Sequence, residues 1–129
     1  AGTAQERARL FAAGVANRLT VKVGSSLLVA PAGEVRADWL ETLVADIATA
    51  RTAGQQVILV SSGAIALGSR RLKLPKGGRA NLEDAQAAAA TGQIILAGLW
   101  AELLGRHGIT AAQMLVPLVD FEDRRRFLN

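Results

Sequence analysis

The chain has 129 residues and a formal net charge of +4; half of its residues are hydrophobic, and only 4% are aromatic. This length is enough for one domain, whose core is mostly leucine, valine, isoleucine and alanine. The absence of cysteine excludes disulfides, thiolate metal sites and cysteine nucleophiles. The arginines are dispersed with few aromatic residues between them, so we expect solvated charge rather than nucleic-acid binding. No apolar run approaches the roughly 18 residues of a membrane span.

The first predicted strand runs from Leu19 to Val23, after an N-terminal extension (residues 1–18) that has no signal-like apolar stretch. Lys22 stands near the carboxyl end of this strand, and Gly24, Ser25 and Ser26 follow it. In open α/β sheets ligands bind beyond these strand ends, where a lysine neutralises phosphoryl charge and a glycine lets the backbone approach. The alternative interpretation is a solvated lysine beside an ordinary turn.

A turn from Ala30 to Gly33 precedes the next predicted helix. Asp38 is its candidate N-cap, with Glu41 three residues on, and Gly54 ends it. Its apolar residues recur at helical spacing: Leu40, Leu43, Val44 and Ile47. The continuous apolar run from Val57 to Val60 then predicts a strand that is covered on both faces.

The strongest signal follows this second strand, in the sequence Ser61-Ser62-Gly63-Ala64. A buried strand that ends in small residues at a helix start presents free backbone N–H groups and the positive helix end, which suit an anion. The alternative is that Ser61 or Ser62 merely caps the helix. Together with the Gly24 turn, this segment predicts a protein that handles phosphate and carboxylate groups together.

The second half of the chain begins with a flexible basic loop from Leu74 to Arg79. Asn81 is the candidate N-cap of a long helix that ends at Gly105. The pair Gly92-Gln93 would let this helix pass close to a ligand. Glu83 and Asp84 are interpreted as first-turn acids, and the sole histidine, His107, as an exposed turn residue.

A third strand is predicted from Gln113 to Val116, and Asp120 opens a further helix that the sequence cuts short, as expected for a piece of something larger. The order β-α-β-α-α-β predicts an open, mainly parallel α/β sheet sandwiched by helices. Neither a P-loop nor a Gly-x-Gly-x-x-Gly dinucleotide motif occurs.

Five segments, taken in order, closely resemble the N-terminal part of the glutamate 5-kinases, in the amino acid kinase superfamily. The resemblance covers residues 19–129. The segments are Val21-Lys22-Val23-Gly24-Ser25-Ser26, Val60-Ser61-Ser62-Gly63-Ala64-Ile65-Ala66, Ala89-Ala90-Thr91-Gly92-Gln93, Gln113-Met114-Leu115 and Glu122-Asp123-Arg124-Arg125-Arg126-Phe127-Leu128-Asn129.

This resemblance implies ATP-dependent phosphorylation of the L-glutamate γ-carboxylate, the first step of proline biosynthesis, with Mg²⁺ accompanying ATP. It implies that Lys22 is the catalytic residue and that Lys22 and Gly24, with Ser25 and Ser26, bind the ATP phosphates. Ser62 would bind glutamate, and the backbone of Gly63 and Ala64 would line its pocket. No protein ligand to a metal is implied.

The resemblance also sets the expected context of the chain. Kinase domains of this kind are about twice as long, so residues 19–129 are expected to be the N-terminal half of the domain and to be inactive alone. A cytoplasmic homo-oligomer without membrane or nucleic-acid partners is implied. Ala85 replaces a lysine that is common in the family. The alternatives are the kinase portion of a bifunctional pyrroline-5-carboxylate synthase and a non-catalytic fragment that binds glutamate or phosphate.

Overall fold

The computed structural model describes residues 2–116, which form a parallel sheet flanked by helices. A 3₁₀ helix, Pro75–Gly78, lies between the last two α-helices. The elements in chain order are α1 Ala4–Arg9, β1 Arg18–Val23, α2 Ser25–Leu28, α3 Ala37–Thr52, β2 Gln56–Ser61, α4 Ala64–Leu72 and α5 Leu82–Gly105. The alternation of strands and helices confirms the predicted α/β class.

The two strands are neighbours and parallel, and their register pairs Lys22 with Val60 and Val23 with Ser61. Both strands therefore end at the same edge of the sheet. The intervening chain, which includes α3, forms the crossover that a parallel pair requires. The predicted strand positions are confirmed, each extended by one or two residues.

The core lies on one face of the sheet, where α3 and α5 pack. Buried residues of α3 recur at the predicted helical spacing, and Gly54 adopts a left-handed φ of +89° just beyond the helix end. The predicted cap is wrong: α3 begins at Ala37 after Arg36, without a side-chain cap, and Asp38 lies in its first turn. The buried core cluster consists of Val23 of β1, Leu28 of α2, Leu40, Val44 and Ile47 of α3, Leu67 of α4, and Leu96, Trp100, Leu103 and Leu104 of α5.

The opposite face of the sheet is uncovered within residues 2–116. Ile58 and Val60 remain 49% and 47% exposed, while Val57 and Leu59 on the other face pack against the core. The expectation that both faces are covered is therefore wrong for the described residues. No strand forms from Gln113 to Val116, where Met114 is 83% exposed. The helix predicted from Asp120 lies outside the described residues.

Helices α4 and α5 form the most intimate packing of the described fold. They cross where Gly68 faces Gly92, and a side chain has no room at either position. A Cβ atom on Gly68 would lie 1.7 Å from the carbonyl oxygen of Ala88, and one on Gly92 would lie 1.6 Å from that of Ala64. The close approach that the sequence predicts at Gly92 is thus to a neighbouring helix.

The two ends of α5 are fixed by polar contacts. Asn81 caps its start as predicted, because the Asn81 side chain accepts a hydrogen bond from the Asp84 amide at 2.7 Å. Arg106, just after its end, pairs with Glu102 at 2.8 Å and with Glu41 of α3. The hydrogen bond to Glu102 is the main cause that raises the pKa of the exposed Arg106 above its ordinary value. His107 lies exposed in the following turn, as predicted.

Contrary to the expectation that no apolar run approaches a membrane span, α5 is by length and composition the one helix of the described residues that is long and apolar enough to cross a membrane. Apolar core helices of globular proteins pass the same test. Here Leu96, Trp100, Leu103 and Leu104 belong to the hydrophobic core, together with residues of β1 and α3. Core packing therefore accounts for these four apolar residues of α5, while Ile94 remains 78% exposed among the described residues.

Two connecting segments contain local structure. Residues before β1 include the short helix α1, and the buried Gln55 side chain donates hydrogen bonds to the carbonyl oxygens of Phe11 and Ala16 at 2.9 and 2.8 Å. The segment from Leu74 to Arg79 makes a tight turn in which Lys76 and Gly77 adopt left-handed φ values of 50° and 62°.

Candidate functional site

The two glycine-serine turns predicted to bind anions lie side by side at the carboxyl edge of the sheet. The amide of Ser62 donates a hydrogen bond to the carbonyl oxygen of Val23 at 2.9 Å, which continues the strand pairing beyond Ser61. The turn at Gly24 and the turn at Gly63 therefore start from adjacent strand ends. In open α/β sheets ligands bind beyond the carboxyl ends of the strands, so a ligand with two anionic groups could contact both turns here.

Gly63 shapes the second turn through its backbone conformation. Its φ is +115°, a value that L side chains rarely adopt, and it directly precedes the first residue of α4. A Cβ atom there would lie 2.5 Å from Cδ2 of Leu28, the fully buried last residue of α2. Leu28 thus packs against the turn, so the end of α2 lies against the start of α4.

The start of α4 has no side-chain cap. Gly63 is its N-cap residue, and the Ser61 hydroxyl instead donates to the carbonyl oxygen of Ser62 at 3.1 Å. The interpretation that Ser61 or Ser62 caps this helix is therefore wrong. First-turn N–H groups of an α-helix have no partner inside the helix, and the helix dipole makes them attractive to anions. Ser62, which directly precedes the N-cap Gly63, is exposed.

Gly24 starts α2 in the same way, without a side-chain cap. Its carbonyl oxygen accepts hydrogen bonds from the amides of Leu27 and Leu28, and the side chains of Ser25 and Ser26 are exposed. No atom lies within 4 Å of a Cβ built on Gly24, so the space above this turn is open. A ligand can approach the backbone here without displacing a side chain.

Lys22 lies at this edge but on the uncovered face of the sheet. Side chains alternate along a strand, so the exposed Lys22 points away from the buried Val23. Its register partner Val60 lies on the same face. The structure thus brings Lys22 to the predicted edge, yet on the opposite face from the core helices.

A basic groove of about 670 Å³ opens beside the Ser25-Ser26 turn. Its cationic lining residues are Arg70, Lys73 and Arg79, and no acidic residue lines it. Ser62, Gly63 and Ala64 are not part of its lining, so this groove and the α4 start are neighbouring rather than identical features. A groove with one sign of charge raises the local concentration of anions.

Sequence reasoning missed these three cationic residues as a group. Arg70 was interpreted as surface charge and Arg79 as part of a loop, since they are nine residues apart in the sequence. The one available signal was that Lys73 and Arg79 flank a Pro-Gly-rich stretch; Lys73 takes a left-handed φ of 54° at the end of α4. The chain turns there, and Lys73 and Arg79 on either side of the Pro-Gly-rich stretch both line the groove.

A model of the amino acid kinase family matches residues 17–129. The chain belongs to the amino acid kinase family. The matched region begins one residue before β1 and includes both turns at the sheet edge. The open parallel sheet with flanking helices is thus the N-terminal part of this family's fold.

Three curated relatives are similar to the chain over most of its length, and each is named glutamate 5-kinase. The protein of Novosphingobium aromaticivorans is 65% identical over 95% of this chain, that of Sphingopyxis alaskensis 67% over 93%, and that of Zymomonas mobilis 62% over 87%. The aligned regions make up 32%, 33% and 28% of those proteins. The chain therefore spans about a third of the length of the relatives it matches.

Proposed function

We propose that the protein containing this chain is a glutamate 5-kinase, which transfers the γ-phosphoryl group of ATP to the γ-carboxylate of L-glutamate. The observation that carries the proposal is the pair of uncapped glycine turns on adjacent parallel strand ends, in a chain 65% identical to a glutamate 5-kinase. One turn suits the phosphates of the donor, and the other suits a carboxylate of the acceptor.

The reaction needs no covalent intermediate on the protein. A γ-carboxylate oxygen of glutamate attacks the γ-phosphorus of ATP, the bond from that phosphorus to the β-phosphate oxygen breaks, and ADP leaves with the electron pair. The products are γ-glutamyl phosphate and ADP. Catalysis then consists of positioning the two substrates and neutralising the charge of the transferred group.

In this proposal Lys22 is the catalytic residue, because its ammonium group at the strand end neutralises charge on the transferred phosphoryl group. The open backbone of Gly24 and the hydroxyls of Ser25 and Ser26 contact the phosphates of ATP. Ser62 binds glutamate. The backbone of Gly63 and Ala64 lines the glutamate pocket, at a helix start whose first amides have no side-chain cap.

Mg²⁺ is proposed to enter as the complex with ATP. Among residues 2–116, no group of three His, Asp or Glu side chains is arranged to hold a metal ion. No acidic side chain lines the groove beside the Ser25-Ser26 turn, whereas protein sites for Mg²⁺ generally include carboxylates. No step of the proposed reaction is assigned to a protein-bound metal.

The remaining parts of the proposal concern context. Residues 19–129 are proposed as the N-terminal part of the kinase domain and residues 1–18 as an extension before it. The protein is proposed to be a cytoplasmic homo-oligomer that uses small-molecule substrates, without membrane or nucleic-acid partners. No observation favours the bifunctional synthase over the monofunctional kinase. Light scattering of the complete protein tests the oligomeric state.

The activity is tested with the complete protein and MgATP, by measuring ADP release with and without L-glutamate and trapping acyl phosphate with hydroxylamine. The proposal expects ADP release that depends on glutamate and an equal amount of hydroxamate. L-Aspartate, which is one methylene shorter, should give little of either product. Glutamate-independent ADP release, or no hydroxamate, would contradict the proposal.

A further inference from the structure

The crossing of α4 and α5 is asymmetric with respect to the candidate site. Gly68 lies in the middle of α4 and faces the carbonyl group of Ala88. Gly92 of α5 faces the carbonyl group of Ala64, which is the first residue of α4 and directly follows the left-handed Gly63. The backbone of α5 at Gly92 therefore lies against the turn proposed to bind glutamate.

This turn is held from two sides. Leu28 of α2 packs on Gly63, where a Cβ atom would lie 2.5 Å from Leu28 Cδ2. On the α5 side, a Cβ on Gly92 would lie 1.6 Å from the Ala64 oxygen and 2.8 Å from the Gly68 nitrogen. The Ala64 oxygen and the Gly68 nitrogen belong to residues i and i+4, whose backbone groups hydrogen-bond to each other in an α-helix. Anything larger than hydrogen at position 92 thus pushes on the first hydrogen-bonded turn of α4.

We propose that Gly92 is a positioning residue for glutamate binding, because its missing side chain lets α5 set the location of the α4 start. This inference rests on the proposed function, since it assigns glutamate to residues 62–64. Gly92 touches no substrate. It acts through the backbone of Ala64, and so determines where the uncapped amides and the Ser62 hydroxyl lie.

The size of the effect follows from the geometry. Contacts of a Cβ under 3.0 Å are essentially never seen, so a methyl group at position 92 forces the Ala64 carbonyl and the two helices apart. The required shift is more than ~1 Å, and a misplacement of that size costs on the order of 10²-fold in a reaction that depends on positioning. The Lys22 and Gly24 turn is not part of the crossing, so ATP binding should change little.

The test compares Gly92→Ala with Gly98→Ala in the complete protein. Gly98 lies on the same helix, but no atom lies within 4 Å of its added Cβ, so Gly98→Ala is the matched control. We expect Gly92→Ala to raise the KM for glutamate at least 10-fold, with the KM for ATP within 2-fold of wild type. Gly98→Ala should leave both values unchanged. A Gly92→Ala protein that melts at a lower temperature but keeps the wild-type KM for glutamate would overturn the inference.

Failure of the proposed function gives a different result, because wild type itself would then show no glutamate-dependent turnover, and the inference would fall with it. Should Gly92→Ala not fold, amide hydrogen exchange of wild type decides. Glutamate should then slow exchange in residues 88–96 of α5 together with residues 64–67 of α4. Protection that is confined to α4 would overturn the inference.

Discussion

The two long helices that follow the second strand begin in opposite ways. At the start of α5, the Asn81 side chain accepts a hydrogen bond from the Asp84 amide, and Glu83 and Asp84 place negative charge in the first turn. The start of α4 has neither a side-chain cap nor an acidic residue in its first turn. Natural helices usually satisfy these groups. The difference shows which helix start the fold leaves available to an external anion.

The largest effect should come from placing a negative charge at the start of α4. Ser62→Asp places a carboxylate beside the free amides, where it competes with the carboxylate of glutamate. We expect at least a 10²-fold loss of kcat/KM for glutamate, with a melting temperature equal to or above that of wild type, because an acid near a helix N-terminus is stabilising. Ser62→Asn introduces a side chain of nearly the same shape as Asp but without its charge. It is the control and should lose much less kcat/KM for glutamate. Equal losses in both variants would mean that charge at this helix start is irrelevant.

Removing the lysine at the neighbouring strand end should affect turnover rather than binding. Lys22→Ala is expected to lower kcat by about 10²-fold, the scale of one lost electrostatic donor. The melting temperature should stay unchanged because the side chain is exposed. Thr20→Ala, on the same exposed face of β1, is the control. Wild-type turnover in a folded Lys22→Ala protein would remove Lys22 from the mechanism.

A smaller effect is expected when only the Ser62 hydroxyl is lost. Ser62→Ala should raise the KM for glutamate by roughly 10-fold, the worth of about one hydrogen bond to a charged group, and leave the KM for ATP near wild type. Because no side chain caps α4, the melting temperature should not change. A lowered melting temperature with unchanged kinetics would instead identify Ser62 as a cap.

Removing the side-chain cap of α5 should lower stability without changing substrate binding, and should have the smallest kinetic effect. Asn81→Ala removes the cap of α5 and is expected to lower the free energy of unfolding by about 1 kcal/mol. Both KM values should remain those of wild type. Asn81→Ser keeps an accepting oxygen without placing a second carboxylate beside Asp84, and should retain most of the stability. A raised KM for glutamate in Asn81→Ala would mean that the two helix starts are not functionally distinct.

Local patterns in the sequence predicted those features that depend on adjacent residues. The apolar runs before Gly24 and Ser61 predicted both strands, and Asn81 predicted a cap that the structure confirms. The predicted cap of α3 was wrong because the helix already begins at Ala37, one residue before Asp38, and the residue before it, Arg36, has no side chain of the capping type. Whether Ser61 or Ser62 capped α4 was equally undecided, since Gly63 takes that position only through its left-handed φ.

Features that depend on distant parts of the chain were not predicted. The contact between Gly92 and Ala64 joins residues 28 positions apart and requires knowledge of the helix crossing. The grouping of Arg70 with Arg79 depends on the chain reversal between them. The sheet face that carries Ile58 and Val60 reads as buried from composition, yet nothing within residues 2–116 covers it.

Amide hydrogen exchange of the complete protein, with and without saturating glutamate, tests the contrast between the two helix starts most directly. Glutamate should slow exchange of the amides of Ala64, Ile65 and Ala66, which lack a side-chain cap. Exchange at the start of α5, in residues 82–84, should not change, because Asn81 already caps it. Unchanged exchange at α4, or equal slowing at both helix starts, would contradict the account.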